Sequence, residues 1–278
     1  MAYYTDIYKS VNAIDHEIKW LGKYGRKGEK RAEKRKATPE EIKRNNHKQK
    51  IKKLLRTMDL NFFPNDIYLT LTLPAGKRIT LSTFKTYIKK FQDNLRRIYK
   101  DAGEPFKWIR RLEVGKKGGT HAHYVINRIY LFDLIGMLSA CWPFGHINIT
   151  NIREEGGMAA LANYMAKEIP EEVEQLTFFD IDEKKGYTSY STSRNLKRPE
   201  PERHEYKRRT VRKLVGEGPS PEEGFYIDKN SIEYGVNPYT GYSFMRYREL
   251  RLKPVKRELK PHKYLLRRES DIGEEMTG

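Results

Sequence analysis

The chain has 278 residues, of which 55 are Lys or Arg and 37 are Asp or Glu, giving a formal net charge of +18; its 37% hydrophobic content suffices for one catalytic core plus extensions. Such an excess of base points to a polyanionic partner, nucleic acid ahead of an anionic membrane surface. A single cysteine, Cys141, excludes an internal disulfide framework and a thiolate zinc cluster, no apolar stretch approaches the roughly 20 residues of a membrane span, and MAYYTDIYKS lacks the apolar centre of a signal peptide, so a soluble protein of a reducing, intracellular compartment is expected.

In chain order, the first forty residues end in the basic run KYGRKGEKRAEKRKA, which reads as a flexible arm. Thr38-Pro39-Glu40-Glu41 then has the form of a helix start, with Thr38 as N-cap, Pro39 in the first helical position and Glu41 closing a capping box. Ile42, Ile51, Leu54, Leu55 and Met58 give this helix a partial apolar face. The core begins at Asp66. In IYLTLTLP, Ile67, Leu69, Leu71 and Leu73 alternate with Tyr68, Thr70 and Thr72, the period of a half-buried strand that Pro74 ends. Residues 82–100 put Phe84, Ile88, Phe91, Leu95 and Ile98 on one helical stripe. Two strands, 106–114 and 120–127, flank the turn GKKGG, followed by an apolar helix near 130–140, a strand in GHINIT and a helix over 157–169 stopped by Pro170. The pattern predicts an α+β fold, an antiparallel sheet of about five strands with helices packed on one face. Its expected domains are a basic arm and helix (1–60), a core (61–199) and a basic, Tyr-rich extension (200–278) of short strands and loops packed on that core.

His121-Ala122-His123 is the most informative tripeptide. On a strand, residues two apart share a face, so both imidazoles converge while Ala122, Tyr124 and Ile126 face the other way. If the turn spans Gly115 to Gly119, Val114 pairs with Thr120 and Glu113 stands opposite His121, completing a two-imidazole, one-carboxylate site. That N/O donor set, with open positions for phosphate oxygens and water, suits Mg²⁺ or Mn²⁺ in phosphodiester chemistry, with Zn²⁺ also compatible.

Met158, Leu161, Ala162, Met165 and Ile169 form the apolar stripe of the helix in MAALANYMAKEIP, and Tyr164 and Lys167, three residues apart, share its polar face. A phenol ionises near pH 10, so Tyr164 needs a metal-polarised phosphate to act as a nucleophile at neutral pH, and Lys167 adds positive charge beside it. Attack would store bond energy in a phosphotyrosine ester that a later 3′-hydroxyl can reverse.

On these residues the sequence resembles the HUH endonuclease superfamily, specifically the rolling-circle replication initiators of small plasmids and single-stranded DNA phages, akin to filamentous-phage replication proteins. YLTLTLP resembles the first motif, GGTHAHYVIN the metal motif, NYMAKE the Tyr-x-x-Lys motif, and TSRNLKRP a segment found after the nuclease core. The resemblance implies Tyr164 as nucleophile, His121 and His123 as metal ligands, Lys167 as helper and, less directly, Glu113 as third ligand. Ala160 stands where two-tyrosine members carry a second tyrosine, so one nucleophile per site is implied. The expected activity is a metal-dependent nickase and strand transferase acting on single-stranded or supercoiled origin DNA in a bacterial cytoplasm. No Walker-type loop is present, so a host helicase and polymerase would be partners. A relaxase, a single-tyrosine transposase and a non-catalytic DNA-binding regulator are the alternatives. Arg110, Arg111, Lys116, Lys117, Arg194, Lys197 and Arg198 are the expected phosphate contacts. Tyr187, Tyr190, Tyr239 and Tyr242, set among basic residues, are candidates to stack on unpaired bases.

Overall fold

The computed structural model describes residues 3–20, 30–114, 119–131, 133–153, 157–167, 190–206 and 208–261. Strands β1 (Tyr3–Lys9) and β2 (Ala13–Trp20) open the chain and helix α1 (Pro39–Asn61) follows. Next come β3 (Ile67–Thr72), α2 (Leu81–Asp101), β4 (Trp108–Val114), β5 (Thr120–Ile126), α3 (Leu134–Ala140), β6 (His146–Asn151), α4 (Gly157–Ala166) and β7 (Tyr190–Thr192). Strand β8 (Glu202–Tyr206), α5 (Arg208–Glu217), β9 (Phe225–Ile227), β10 (Glu233–Val236) and β11 (Ser243–Arg251) complete the described elements. Residues 1–60 with 197–255 form one compact unit and residues 61–196 with 256–278 the other. No helix among the described residues is long and apolar enough to cross a membrane.

The second unit is an antiparallel five-stranded sheet in the order β6-β3-β5-β4-β7. Parity sorts its side chains: Ile67, Leu69, Leu71, Leu112, Ala122, Tyr124 and Ile126 enter one core with Phe84, Ile88, Phe91 and Leu95 of α2 and Leu134 and Leu138 of α3. Each such large side chain taken fully from water contributes about 1.5–3 kcal/mol. Helix α2 is started by Thr80, whose hydroxyl accepts from the Thr83 N–H at 3.2 Å. Helix α3 is shorter than its apolar run suggests, because the Asp133 carboxylate accepts from the Gly136 N–H at 2.8 Å and sets the first turn there. Fully buried Asp66 pins the start of β3, its carboxylate accepting from the Phe63 and Arg128 N–H groups at 2.9 and 2.8 Å and from the Arg257 guanidinium at 2.6 and 2.7 Å. Gly145 leads into edge strand β6 where a Cβ would stand 2.1 Å from the Thr72 carbonyl oxygen, a space only glycine leaves.

The first unit corrects the reading of the N-terminus. Residues 3–20 are two strands at the centre of an antiparallel six-stranded sheet ordered β10-β11-β2-β1-β8, with β9 pairing to β11. The C-terminal strands therefore pair with β1 and β2 into a second sheet instead of forming a layer of loops. One face holds Tyr3, Ile18, Trp20, Met245 and Tyr247 against Leu214 and Val215 of α5. The other meets α1 through charge: Arg56 donates to Asp15 and Glu17 at 2.9 and 2.8 Å, and Arg248 to Asp15 and Asp59 at 2.8 and 2.7 Å. The end of the basic run is docked as well, the Ala32 and Arg35 N–H groups donating to the carbonyls of Gly241 and Pro238 at 3.1 and 3.0 Å.

Candidate active site

The site lies on the face of the second unit's sheet opposite α2. Register places His146, Thr72, His121 and Glu113 in one row across β6, β3, β5 and β4, and Asn148, Thr70, His123 and Arg111 in the next. Glu113 thus stands opposite His121, and Val114 opposite Thr120, as the parity of the hairpin predicts. Helix α4 delivers Tyr164 to this face. The phenol oxygen lies 2.8 Å from Glu113 Oε2, to which it donates, and 2.8 Å from His123 Nε2. Its ring meets the imidazole edge-on, with centroids 4.9 Å apart.

Tyr68 is a member of the site that the alternation alone did not single out. Its hydroxyl lies 2.8 Å from His123 Nδ1, with the Thr70 hydroxyl at 3.3 Å, so one ring nitrogen is anchored while Nε2 faces Tyr164. An imidazole held this way has its tautomer and orientation set by the second nitrogen's partner, the usual arrangement behind a ligating histidine. The signal was parity: Tyr68 shares its strand face with Thr70 and Thr72.

Arg111 has a different role from the expected one. It is 2% exposed, and its guanidinium donates to the main-chain carbonyls of Tyr164 and Met165 at 3.3 and 3.1 Å and to that of Lys167. These are the carbonyls a helix leaves unsatisfied at its C-terminus, so Arg111 ends α4 at Ala166 and fixes the turn that carries Tyr164. The helix therefore stops short of the expected residue 169, and Lys167 is exposed just beyond it. Arg110 faces the opposite side of the sheet and donates to Gln92 of α2 at 3.3 Å, away from the site. Arg194 is exposed beyond β7, Lys197 and Arg198 belong to the first unit, and Lys116, Lys117 and Tyr187 lie outside the described residues.

The electrostatics hold the nucleophile protonated at rest. The hydrogen bond from His123, with that from Tyr164 and the charge of Arg111, brings the Glu113 carboxyl down to about 2, against the cost of burial. Burial, reinforced by the Glu113 carboxylate, pushes the Tyr164 phenol well above its ordinary range. Burial and the neighbouring His123 lower His121, which favours the neutral imidazole that a metal requires.

By chemistry the donor set, two imidazoles and one carboxylate in adjoining register positions, fits a divalent cation with oxygen-rich open coordination. His123 Nε2 and Glu113 Oε2 lie 3.4 Å apart, closed around the Tyr164 hydroxyl, while the His121 ring centroid stands 6.5 Å from that of His123. Among the described residues no three His, Cys, Asp or Glu side chains stand gathered as a metal-holding group, so ligation by all three requires His121 to turn toward His123.

No curated protein and no solved structure matches the chain. Residues 66–169, the segment that carries the Glu113, His121 and His123 face and the Tyr164 helix, match the family model of replication-associated protein ORF2/gene II protein.

Proposed function

We propose that the chain initiates replication of a small mobile DNA element by nicking and rejoining single-stranded origin DNA through a covalent link to Tyr164. The observation that carries this reading is the Tyr164 phenol oxygen standing 2.8 Å from both Glu113 and His123, on a face that also bears His121. The match to a replication-associated family over residues 66–169 supports the biological setting, with DNA as partner.

A Mg²⁺ or Mn²⁺ ion held by His121, His123 and Glu113 would act as a Lewis acid on the scissile phosphate. The chain's own residues perform the rest. Arg111 and Tyr68 hold the helix end and the imidazole in place; they are positioning residues. The Tyr164 oxygen attacks phosphorus as its proton passes into the Glu113–His123 hydrogen-bonded pair. The P–O3′ bond breaks, the 5′-phosphate remains on tyrosine, and the 3′-oxygen departs and leaves as a hydroxyl that primes synthesis. The same steps reversed rejoin the strand. Exposed Lys167 is free to swing toward the phosphate and add positive charge.

The test is a labelled single-stranded origin oligonucleotide incubated with manganese and either wild-type protein or Tyr164→Phe. Cleavage with a DNA-linked peptide containing Tyr164 is expected from the wild type and no adduct from the variant. Cleavage by Tyr164→Phe at the wild-type rate would sink the mechanism, and tight metal-independent binding without turnover would identify a regulator.

A further inference from the structure

We propose that the first unit carries a second DNA site, a groove that binds single-stranded DNA by stacking its bases on exposed aromatic rings; this rests on the reading that the chain acts on single-stranded DNA. An open cavity of about 850 Å³ lies between the polar face of the six-stranded sheet and α1. Its floor is a row set by register, Tyr4 on β1, Lys19 on β2, Phe244 on β11 and Gly235 on β10. A lysine is thus flanked by an aromatic ring on each neighbouring strand, and its ammonium lies 5.6 Å from the Tyr4 ring centre. Gly235 places no side chain over Phe244, whose ring a Cβ there would meet at 3.8 Å.

The walls repeat the combination. Lys48 and Lys52 project from α1, and Tyr234, 78% exposed, stands on β10. Across from α1, the Asn237–Tyr242 turn presents Tyr239 and Tyr242, each ring carrying a guanidinium, Arg35 at 5.1 Å and Arg31 at 4.2 Å. The turn is locked to the docked basic run at Gly241, whose φ of +68° and lack of a Cβ, which would lie 2.2 Å from the Ala32 carbonyl oxygen, admit the close approach.

Two carboxylates line the groove, and the protein compensates both. Glu17 accepts from Arg56 at 2.8 Å, and Glu233 lies 3.6 Å from Arg246 and 3.7 Å from Lys52. Lys48 makes no ion pair among the described residues, leaving its charge, with Lys19, Arg31 and the net +18 of the chain, available to phosphates. Rings interleaved with cations along a groove are what unpaired bases and their backbone require, since every base offers a π-face and a duplex hides it. The concave floor equally does not fit a flat lipid surface.

Binding of a fluorescein-labelled thirty-nucleotide oligo-dT to the full chain, followed by anisotropy in EDTA over a salt series, tests the groove. Lys48→Ala combined with Tyr234→Ala, both at exposed positions, should weaken binding about tenfold and flatten the slope of log K against log salt by about 0.7. Tyr164→Phe should bind as the wild type does. Wild-type affinity and slope in the double variant, or an equal loss on a duplex of the same length, would overturn the groove. The two readings fail separately: with no Tyr164 adduct in the nicking assay, the anisotropy loss still stands, and the converse holds.

Discussion

Tyr164 is half-buried against a carboxylate, and both effects keep its proton on; the surrounding residues therefore have to present the phenol to a phosphate without ionising it in advance. Tyr68 contributes by fixing His123 from behind. Tyr68→Phe removes one hydroxyl and little volume, and loss of such a partner typically costs a ligating histidine about 10–100-fold in metal affinity or activity. We expect an increase of about tenfold or more in the manganese concentration needed for half-maximal nicking, with folding retained; an unchanged manganese requirement would leave Tyr68 as a packing residue. The pairing of Glu113 with His121 was legible because a strand has a period of two and a short hairpin turn leaves one register for the alternation. The role of Arg111 was not legible. An arginine next to a metal strand has the same one-dimensional appearance whether it meets phosphate or the end of a helix 53 residues later.

Elements whose limits are set by neighbours in sequence were the most readable. The capping box before α1 forms as its residues suggest, the Thr38 N–H donating to Glu41 Oε2 at 3.0 Å and the Glu41 N–H to Thr38 Oγ1 at 3.3 Å. Thr38→Ala should destabilise the first unit by about 1 kcal/mol, read as a lower urea midpoint at unchanged slope. An unchanged midpoint would show that the first turn of α1 frays in the native state. Helix α4 illustrates the other case. Its apolar stripe continues to Ile169, and the helix nevertheless closes at Ala166 because Arg111 from β4 satisfies its last carbonyls. Tertiary contact overrides propensity there, and the consequence is functional, since it frees Lys167 from the helical face it was expected to share with Tyr164.

At the scale of the molecule, the first unit joins its sheet to α1 through buried charge in place of an apolar layer. Asp59 lies in that layer, 2.7 Å from Arg248, and burial pushes its carboxyl up to about 6. A carboxyl raised on folding binds more protons folded than unfolded, so its contribution is fully present below the unfolded value near 3.8 and is lost as pH rises through about 6. Asp59→Asn, which cannot titrate, should therefore gain stability relative to the wild type as pH rises from about 4 to about 6 and hold a constant difference above it; a difference independent of pH would contradict the assignment. This unit was the least legible part of the fold. Its strands bury Asp6, His16, Glu17, Arg248 and Glu249, which obscures the alternation of apolar and polar residues, and their partners are distant, as with Arg248 and Asp15, 233 residues apart. By itself the sequence determined what local periodicity and short turns control: the apolar face of α2, the strands around His121 and His123, their register with Glu113 and the polar face of α4. Only the tertiary structure decided which groups share a space across long separations. It placed the Tyr164 hydroxyl between Glu113 and His123, turned Arg111 from DNA toward a helix end, and joined the two ends of the chain into one sheet, because packing couples residues by distance in space and periodicity by distance along the chain.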